Sequence, residues 1–291
     1  MAAFRDQHPG TVTHATFGVA GPVIGGRAEI TNLPWTVDST RLSEALGTDS
    51  VVILNDLQAM AAAIPSFAPE DVVRIKDGTV ESDGTIAAVA PGTGLGEAFL
   101  AWDGREYIPC ASEGGHTSFA PADVQQIALL EFMRRNHPHV SFERVCSGHG
   151  IPRLYQFVKE TSVYSESRHV AVQIAETTDP TPVIIDHALH DETPCPLCRE
   201  TLSLFVRILA TKAGNLALTV FATGGVYLGG GIPPRILPAL QNGEFVEAFT
   251  HKGRLSDLLI GIPVFVIVAE DVALRGAAQH TFHLLRSTAD S

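Results

Sequence analysis

The chain has 291 residues, 45% hydrophobic and 18% charged, with a mean hydropathy of +0.16; this supplies a core for one large or two ordinary domains and excludes wholesale disorder. A formal net charge of −12 disfavours general nucleic-acid binding, although backbone N–H groups and a metal ion can still hold a small nucleotide. The opening MAAFRDQHPG lacks the apolar stretch of a secretory leader, and no uninterrupted apolar run reaches bilayer length, so a cytoplasmic protein with no membrane partner is expected.

In chain order, residues 13 to 21 (THATFGVAG) alternate and end in Gly-Pro, a strand entering a turn. VIGGRAEIT carries a central Gly-Gly between β-like pieces, a hairpin signal. Asp38 or Ser39 caps a predicted helix through TRLSEALG, which Gly47 ends. VVIL, at 51 to 54, is a buried strand that empties into Asn55-Asp56, and LQAMAAAI continues as a helix until Pro65. TIAAVAPGTGLGEAFLAW is strand, glycine turn, strand. VQQIALLEFMRRN has helical spacing, whereas the stretch from about Val158 to Pro196 mixes helical pieces with turn residues. Residues 199 to 222 form the longest helical pattern, apolar on more than one face, as in a core helix. GGVYLGGGIPPRI is a strand, glycines and a helix opened by Pro233-Pro234; IPVFVIV is a last strand and VALRGAAQHTFHLL a last helix. Strands and helices interleave, so the class is α/β.

Four stretches place reactive groups beside glycines after strands. Asn55-Asp56 follows a strand, where open α/β sheets put function; Asp56 is either a proton acceptor for an alcohol or an Asx helix cap. Gly92-Thr93-Gly94-Leu95-Gly96 is either an anion nest, with close backbone approach and positive φ, or a plain hairpin turn. Glu113-Gly114-Gly115-His116 brings an acceptor and a donor together, suiting vicinal hydroxyls or simply an exposed polar loop. Ser141 can start a short helix with Glu143 on its first turn, where a carboxylate suits the dipole. Cys195 and Cys198 form a CPLC pair, which without a second CxxC reads as two reduced thiols near a helix start, not half a zinc site.

The ordered blocks ILNDLQAMAAAIP, APGTGLGEAFLAW, SEGGHTSFAP, SFERVCSGHGIPRLY, GNLALTVFATGGVYLGGGIPPRILP and KGRLSDLLIGIPVFVIVAEDVALRGAA resemble the bacterial glucokinases of the hexokinase-like, actin-type ATPase superfamily, over nearly the whole chain from His14. The resemblance implies a two-lobed ribonuclease H-like, actin-like ATPase fold with a central cleft. Its small domain would comprise residues 1–66 plus 270–291 and its large domain 67–269. It implies Asp56 as general base, and Asn55, Asp56, Glu113, His116 and Glu143 as glucose ligands. Gly92, Thr93 and Gly94 would hold phosphate, and Gly229, Gly230 and Gly231 would lie near the adenosine. Glucose and ATP would be the substrates, Mg²⁺ would arrive with ATP, and a homodimer is common in the family. The zinc motif of the family's other branch is missing from the sequence, so no structural zinc is expected.

Two departures qualify the likeness. The family's opening D-x-G-G-T-x-x-R phosphate turn has no counterpart ahead of THATFGVAG, so a chain shortened at its N-terminus, with weak phosphorylation of glucose, is expected; the competing expectation is a non-catalytic sugar-binding or regulatory remnant. Pro91 stands before the GTGLG turn, where the family carries a small residue.

Overall fold

A computed structural model describes residues 7, 10–30, 33–189 and 195–289, with 286–289 as backbone only. The chain divides into two units, Met1–Phe67 with Glu270–Ser291, and Ala68–Ala269.

In the first unit, β1 (His14–Val19) lies parallel to β5 (Ser50–Asn55), with Val19 opposite Asn55. Strands β2 (Val23–Ile24), β3 (Arg27–Glu29) and β4 (Thr36–Asp38) form a small antiparallel sheet. The Gly25-Gly26 pair turns the hairpin with φ of +58° and +75°, the conformation a type I′ turn demands. Helix α1 (Ser39–Leu46) is capped by Asp38, whose Oδ1 accepts from the Thr40 and Arg41 amides at 3.0 and 3.2 Å, and ends at left-handed Gly47. Of the two caps the sequence offers, Asp38 is used.

Strand β5 runs directly into α2 (Asp56–Ala63), followed by a 3₁₀ turn containing Pro65. The residues from Ala59 to Ala63 are buried, and their small side chains let helix α11 (Val272–Ala289) approach closely. A Cβ at Gly276 of α11 would stand 1.7 Å from the Ala59 carbonyl oxygen, so only glycine permits this packing. The C-terminal helix thus completes the N-terminal unit.

The second unit is built on a six-stranded sheet ordered β6–β11–β10–β7–β8–β9. These strands are β6 (Val72–Lys76), β7 (Ile86–Pro91), β8 (Leu95–Trp102), β9 (Tyr107–Ser112), β10 (Val226–Leu228) and β11 (Val264–Ile267). The inner strands β11, β10 and β7 are mutually parallel, and every residue of β7 and β11 is buried, as expected of strands covered on both faces. The remaining helices are α3 (Val124–Arg134), α4 (Ile151–Thr161), α5 (Arg168–Glu176), α6 (Thr181–Leu189), α7 (Pro196–Val220), α8 (Leu237–Leu240), α9 (Glu244–Thr250) and α10 (Ser256–Gly261). Helix α7 packs against α4, α6, α9 and β7. By length and composition it could cross a membrane, but 67% of its most apolar window is buried, which makes it the core helix the sequence predicts.

Two expectations are corrected. Ser141 starts no helix: residues 141–150 are turns, and the next helix begins at Ile151. Local bonds such as Cys146 N to Phe142 O at 2.7 Å close single turns, while Glu143 N and Gly148 N bond Gly115 O and Gly92 O at 2.9 and 2.7 Å, so no continuous intrahelical ladder runs on from Ser141. Pro233-Pro234 open a 3₁₀ turn, Pro233–Ile236, and the α-helical part is only α8. The ambiguous stretch before Pro196 contains α5 and α6; its residues 190–194 lie outside the described residues. Cys195 caps α7, its Sγ accepting from the Cys198 amide at 3.4 Å, and both residues are buried.

Candidate active site

In the first unit the pair Asn55-Asp56 stands at the carboxyl end of β5. The cap is Asn55: its Oδ1 accepts from Leu57 N at 2.9 Å, its backbone N–H donates to Gln58 Oε1 at 3.1 Å, and its Nδ2 donates to Gly21 O at 2.9 Å. Asp56 is therefore not needed as the cap. Its carboxylate accepts from Leu57 N at 3.0 Å, and partial burial raises its pKa above the ordinary aspartate value, against the lowering effect of the Leu57 and Asp56 amides and the Asn55 side chain. A carboxylate biased toward taking a proton, at a strand end, has the character of a general base.

In the second unit the Gly92–Gly94 turn joins β7 to β8, with Pro91 opposite Leu95. Neither glycine adopts the left-handed region, which corrects the expected positive φ. Gly94 lies close to Glu143, so that a Cβ there would meet Glu143 Oε2 at 2.6 Å and that side chain would have to move. Gly92 N bonds Gly94 O at 2.9 Å, and Gly92 O accepts from Gly148 N, while the Thr93 and Gly94 amides have no backbone partner among the described residues. Those two N–H groups, beside an exposed Thr93, suit an anion.

The second glycine run abuts the first. Gly229 N donates to Val89 O at 2.9 Å and Ile232 N to Pro91 O at 3.3 Å. Gly230 has φ +80°, and a Cβ on it would lie 2.6 Å from the Pro91 carbonyl oxygen. Both turns leave the carboxyl ends of parallel neighbours β7 and β10, where α/β sheets bind nucleotides. These donors fit a phosphate; the turns supply no carboxylate of their own for Mg²⁺, which fits a metal carried by the nucleotide.

The structure also brings Glu113, His116 and Glu143 together. Glu113 and His116 flank the 3₁₀ turn Gly114–His116. His116 Nε2 is 3.8 Å from Glu113 Oε2 and its Nδ1 is 3.8 Å from Glu143 Oε1, beyond hydrogen-bond length. With side chains 61%, 59% and 33% exposed, respectively, these groups keep acceptors and donors open to a polyhydroxylated ligand. Glu143 also faces the glycine turn, its Oε2 accepting from Leu95 N at 3.2 Å. The polar cluster and the glycine turn are thus adjacent.

One part of the site escapes sequence reading. Beneath residues 113–117 lie Glu97 of β8 and Lys212 of α7, side chains 2% and 7% exposed, with Nζ 2.7 Å from Oε1. They are far apart in the chain, and a single charged residue in an apolar pattern is the only signal either gives.

An α/β fold with nucleotide-type glycine turns beside a carboxylate–imidazole cluster defines a sugar kinase of the actin-like ATPase class. The glucokinase sequence profile matches residues 1–283. A glucokinase of Nostoc sp. is 37% identical over 276 residues, spanning 91% of this chain and 80% of that protein. The crystal structure of a glucokinase from an Antarctic psychrotroph superposes with a TM-score of 0.82 at 31% identity, covering 97% of this chain and 84% of that one. The fold is shared more distantly, at TM-score 0.62 and 19% identity, with a ROK family glucokinase from Streptomyces griseus solved with glucose and AMPPNP, over 97% of this chain and 85% of that one. The chain belongs to the glucokinase family.

Proposed function

We propose that this chain transfers the γ-phosphoryl group of ATP to the 6-hydroxyl of glucose, with Asp56 as the base. Asn55, Glu113, His116 and Glu143 hold the sugar hydroxyls; the Thr93 and Gly94 amides hold phosphate oxygens, and the Gly229–Gly231 turn lies against the adenosine. As the sugar oxygen bonds to phosphorus, the bond to the bridging oxygen of ADP breaks and the hydroxyl proton passes to the Asp56 carboxylate. Mg²⁺, brought by ATP, neutralises charge on the phosphoryl oxygens.

The observation that carries this reading is the double engagement of Glu143. One oxygen lies 3.8 Å from His116 and the other accepts from Leu95 of the glycine turn, so the hydroxyl-binding groups sit beside the phosphate-binding amides. Family membership and the glucose and AMPPNP complex of the Streptomyces griseus structure support the choice of substrates. Isothermal titration with glucose and, separately, with AMPPNP and Mg²⁺ tests it. Saturable binding of both supports the kinase; binding of neither, or of glucose alone, contradicts it.

A further inference from the structure

Lys212 is a lysine in the middle of a core helix, and besides its partner Glu97 it meets the sugar loop and the residue before Glu143. Nζ donates to Gly114 O at 2.9 Å and to Thr117 Oγ1 at 3.3 Å, and lies 4.8 Å from the centre of the Phe142 ring. Gly114 follows Glu113, Thr117 follows His116, and Phe142 precedes Glu143. The ammonium therefore touches a neighbour of each hydroxyl-binding residue of this unit.

Its counter-ion is equally placed. Glu97 pairs in register with Ser112, whose Oγ accepts from Gly114 N at 3.0 Å. A Cβ on Gly114 would stand 2.0 Å from Glu97 Oε2, so the carboxylate fills the space under the loop. Glu97 Oε1 makes no hydrogen bond of good angle, and the ammonium 2.7 Å away compensates it. A buried ion pair gains little stability over apolar residues of the same volume, because desolvation offsets the attraction. What this pair does that apolar residues could not is donate to the loop's carbonyl and hydroxyl.

We propose that Glu97 and Lys212 are positioning residues for the sugar site: they fix the backbone of residues 113–117 and the Phe142 ring, so that Glu113, His116 and Glu143 meet the sugar as one set. The inference rests on the hexose-site reading. It predicts that the pair governs sugar affinity far more than nucleotide affinity: its described contacts are to the sugar loop and Phe142, and it meets the glycine turn only indirectly, through Glu143.

The test is the apolar pair Glu97→Met/Lys212→Met, which removes both charges and leaves no polar side-chain atom of the pair orphaned. Isothermal titration of the whole chain with glucose should show binding about tenfold weaker, the effect of one or two lost hydrogen bonds. The Kd for AMPPNP with Mg²⁺ and the urea midpoint should stay close to those of the unaltered protein. A merely structural pair would move the midpoint and both affinities, or none. Thr117→Val, at an exposed residue, removes the hydroxyl that accepts from Lys212 and donates to Gly114 O at 2.7 Å, and should weaken glucose about threefold; it tests the same anchor if the double variant does not fold. Unchanged glucose affinity in Thr117→Val and in a folded double variant would overturn the positioning role. Failure of the unaltered chain to bind glucose would instead overturn the hexose-site reading beneath it.

Discussion

Replacing Gly230 by alanine separates backbone geometry from composition at the proposed nucleotide turn. At φ +80° an alanine adopts a left-handed conformation, costing about 1–2 kcal/mol. Its Cβ would also stand 2.6 Å from Pro91 O and 3.0 Å from Pro91 C, atoms that cannot swing aside as a flexible side chain would. The 229–231 segment must then shift away from the 91–94 turn, bringing the total to roughly 2–4 kcal/mol. The neighbouring Gly231→Ala is the control: its Cβ meets nothing within 4 Å and its φ is not left-handed. It should lie within about 0.5–1 kcal/mol of the original, with stabilisation as likely as loss on entropic grounds. Urea denaturation of both variants gives the stability difference, and titration with AMPPNP and Mg²⁺ gives the functional one. Gly230→Ala should weaken nucleotide binding several-fold while leaving glucose affinity nearly intact. Equal stability of the two variants, or unchanged nucleotide affinity in Gly230→Ala, would refute the abutting-turn reasoning.

Other perturbations read other parts of the account. Asp56→Asn should remove turnover by a thousandfold or more while changing glucose affinity only a few-fold, because the amide keeps the geometry and cannot take the proton; comparable losses in both would remove Asp56 from the base role. Burial raises the Asp56 pKa, so kcat/KM should fall on the acid side at a pH above the ordinary aspartate range, as the carboxylate protonates; a profile flat down to pH 4 would contradict this. The same shift means the folded chain holds that proton more tightly, so the group's contribution to stability falls as pH rises from the unfolded to the folded pKa. Asp56→Asn should then be slightly more stable than the original at pH 7, measured by urea midpoint. Lys76, buried in β6, donates to the carbonyls of Asp77, Ile260 and Ile262 at 2.9, 2.8 and 2.7 Å. Lys76→Met should destabilise by about 3 kcal/mol in urea denaturation, and a loss under about 1 kcal/mol would show that water replaces the ammonium.

Local chemistry made much of the fold legible. Asp38 and Gly47 bracket α1, the Gly25-Gly26 pair turns its hairpin, and VVIL before Asn55-Asp56 marks a strand feeding a helix, because caps and turns act within four residues. The GTG turn and the Glu113–His116 segment were visible as polar groups among glycines, but their adjacency to Glu143 was not, since it depends on Glu143 N bonding Gly115 O and Gly148 N bonding Gly92 O. The positive φ expected of the GTG glycines does not occur, and what lies against Gly94 is a carboxylate from residue 143, which no local rule reveals. Glu97 and Lys212 lay beyond any local rule, because only the packing of α7 beneath β8 brings them together.

The central claim is that one carboxylate accepts a sugar proton while phosphate passes across the glycine turn. The most direct measurement is glucose 6-phosphate formed from glucose and ATP with Mg²⁺ by the purified chain, alongside ADP, for the unaltered protein and for Asp56→Asn. Equimolar glucose 6-phosphate and ADP from the unaltered chain, with neither from Asp56→Asn, is the expected result. ADP released without a sugar phosphate, or product formed equally by both proteins, would contradict it.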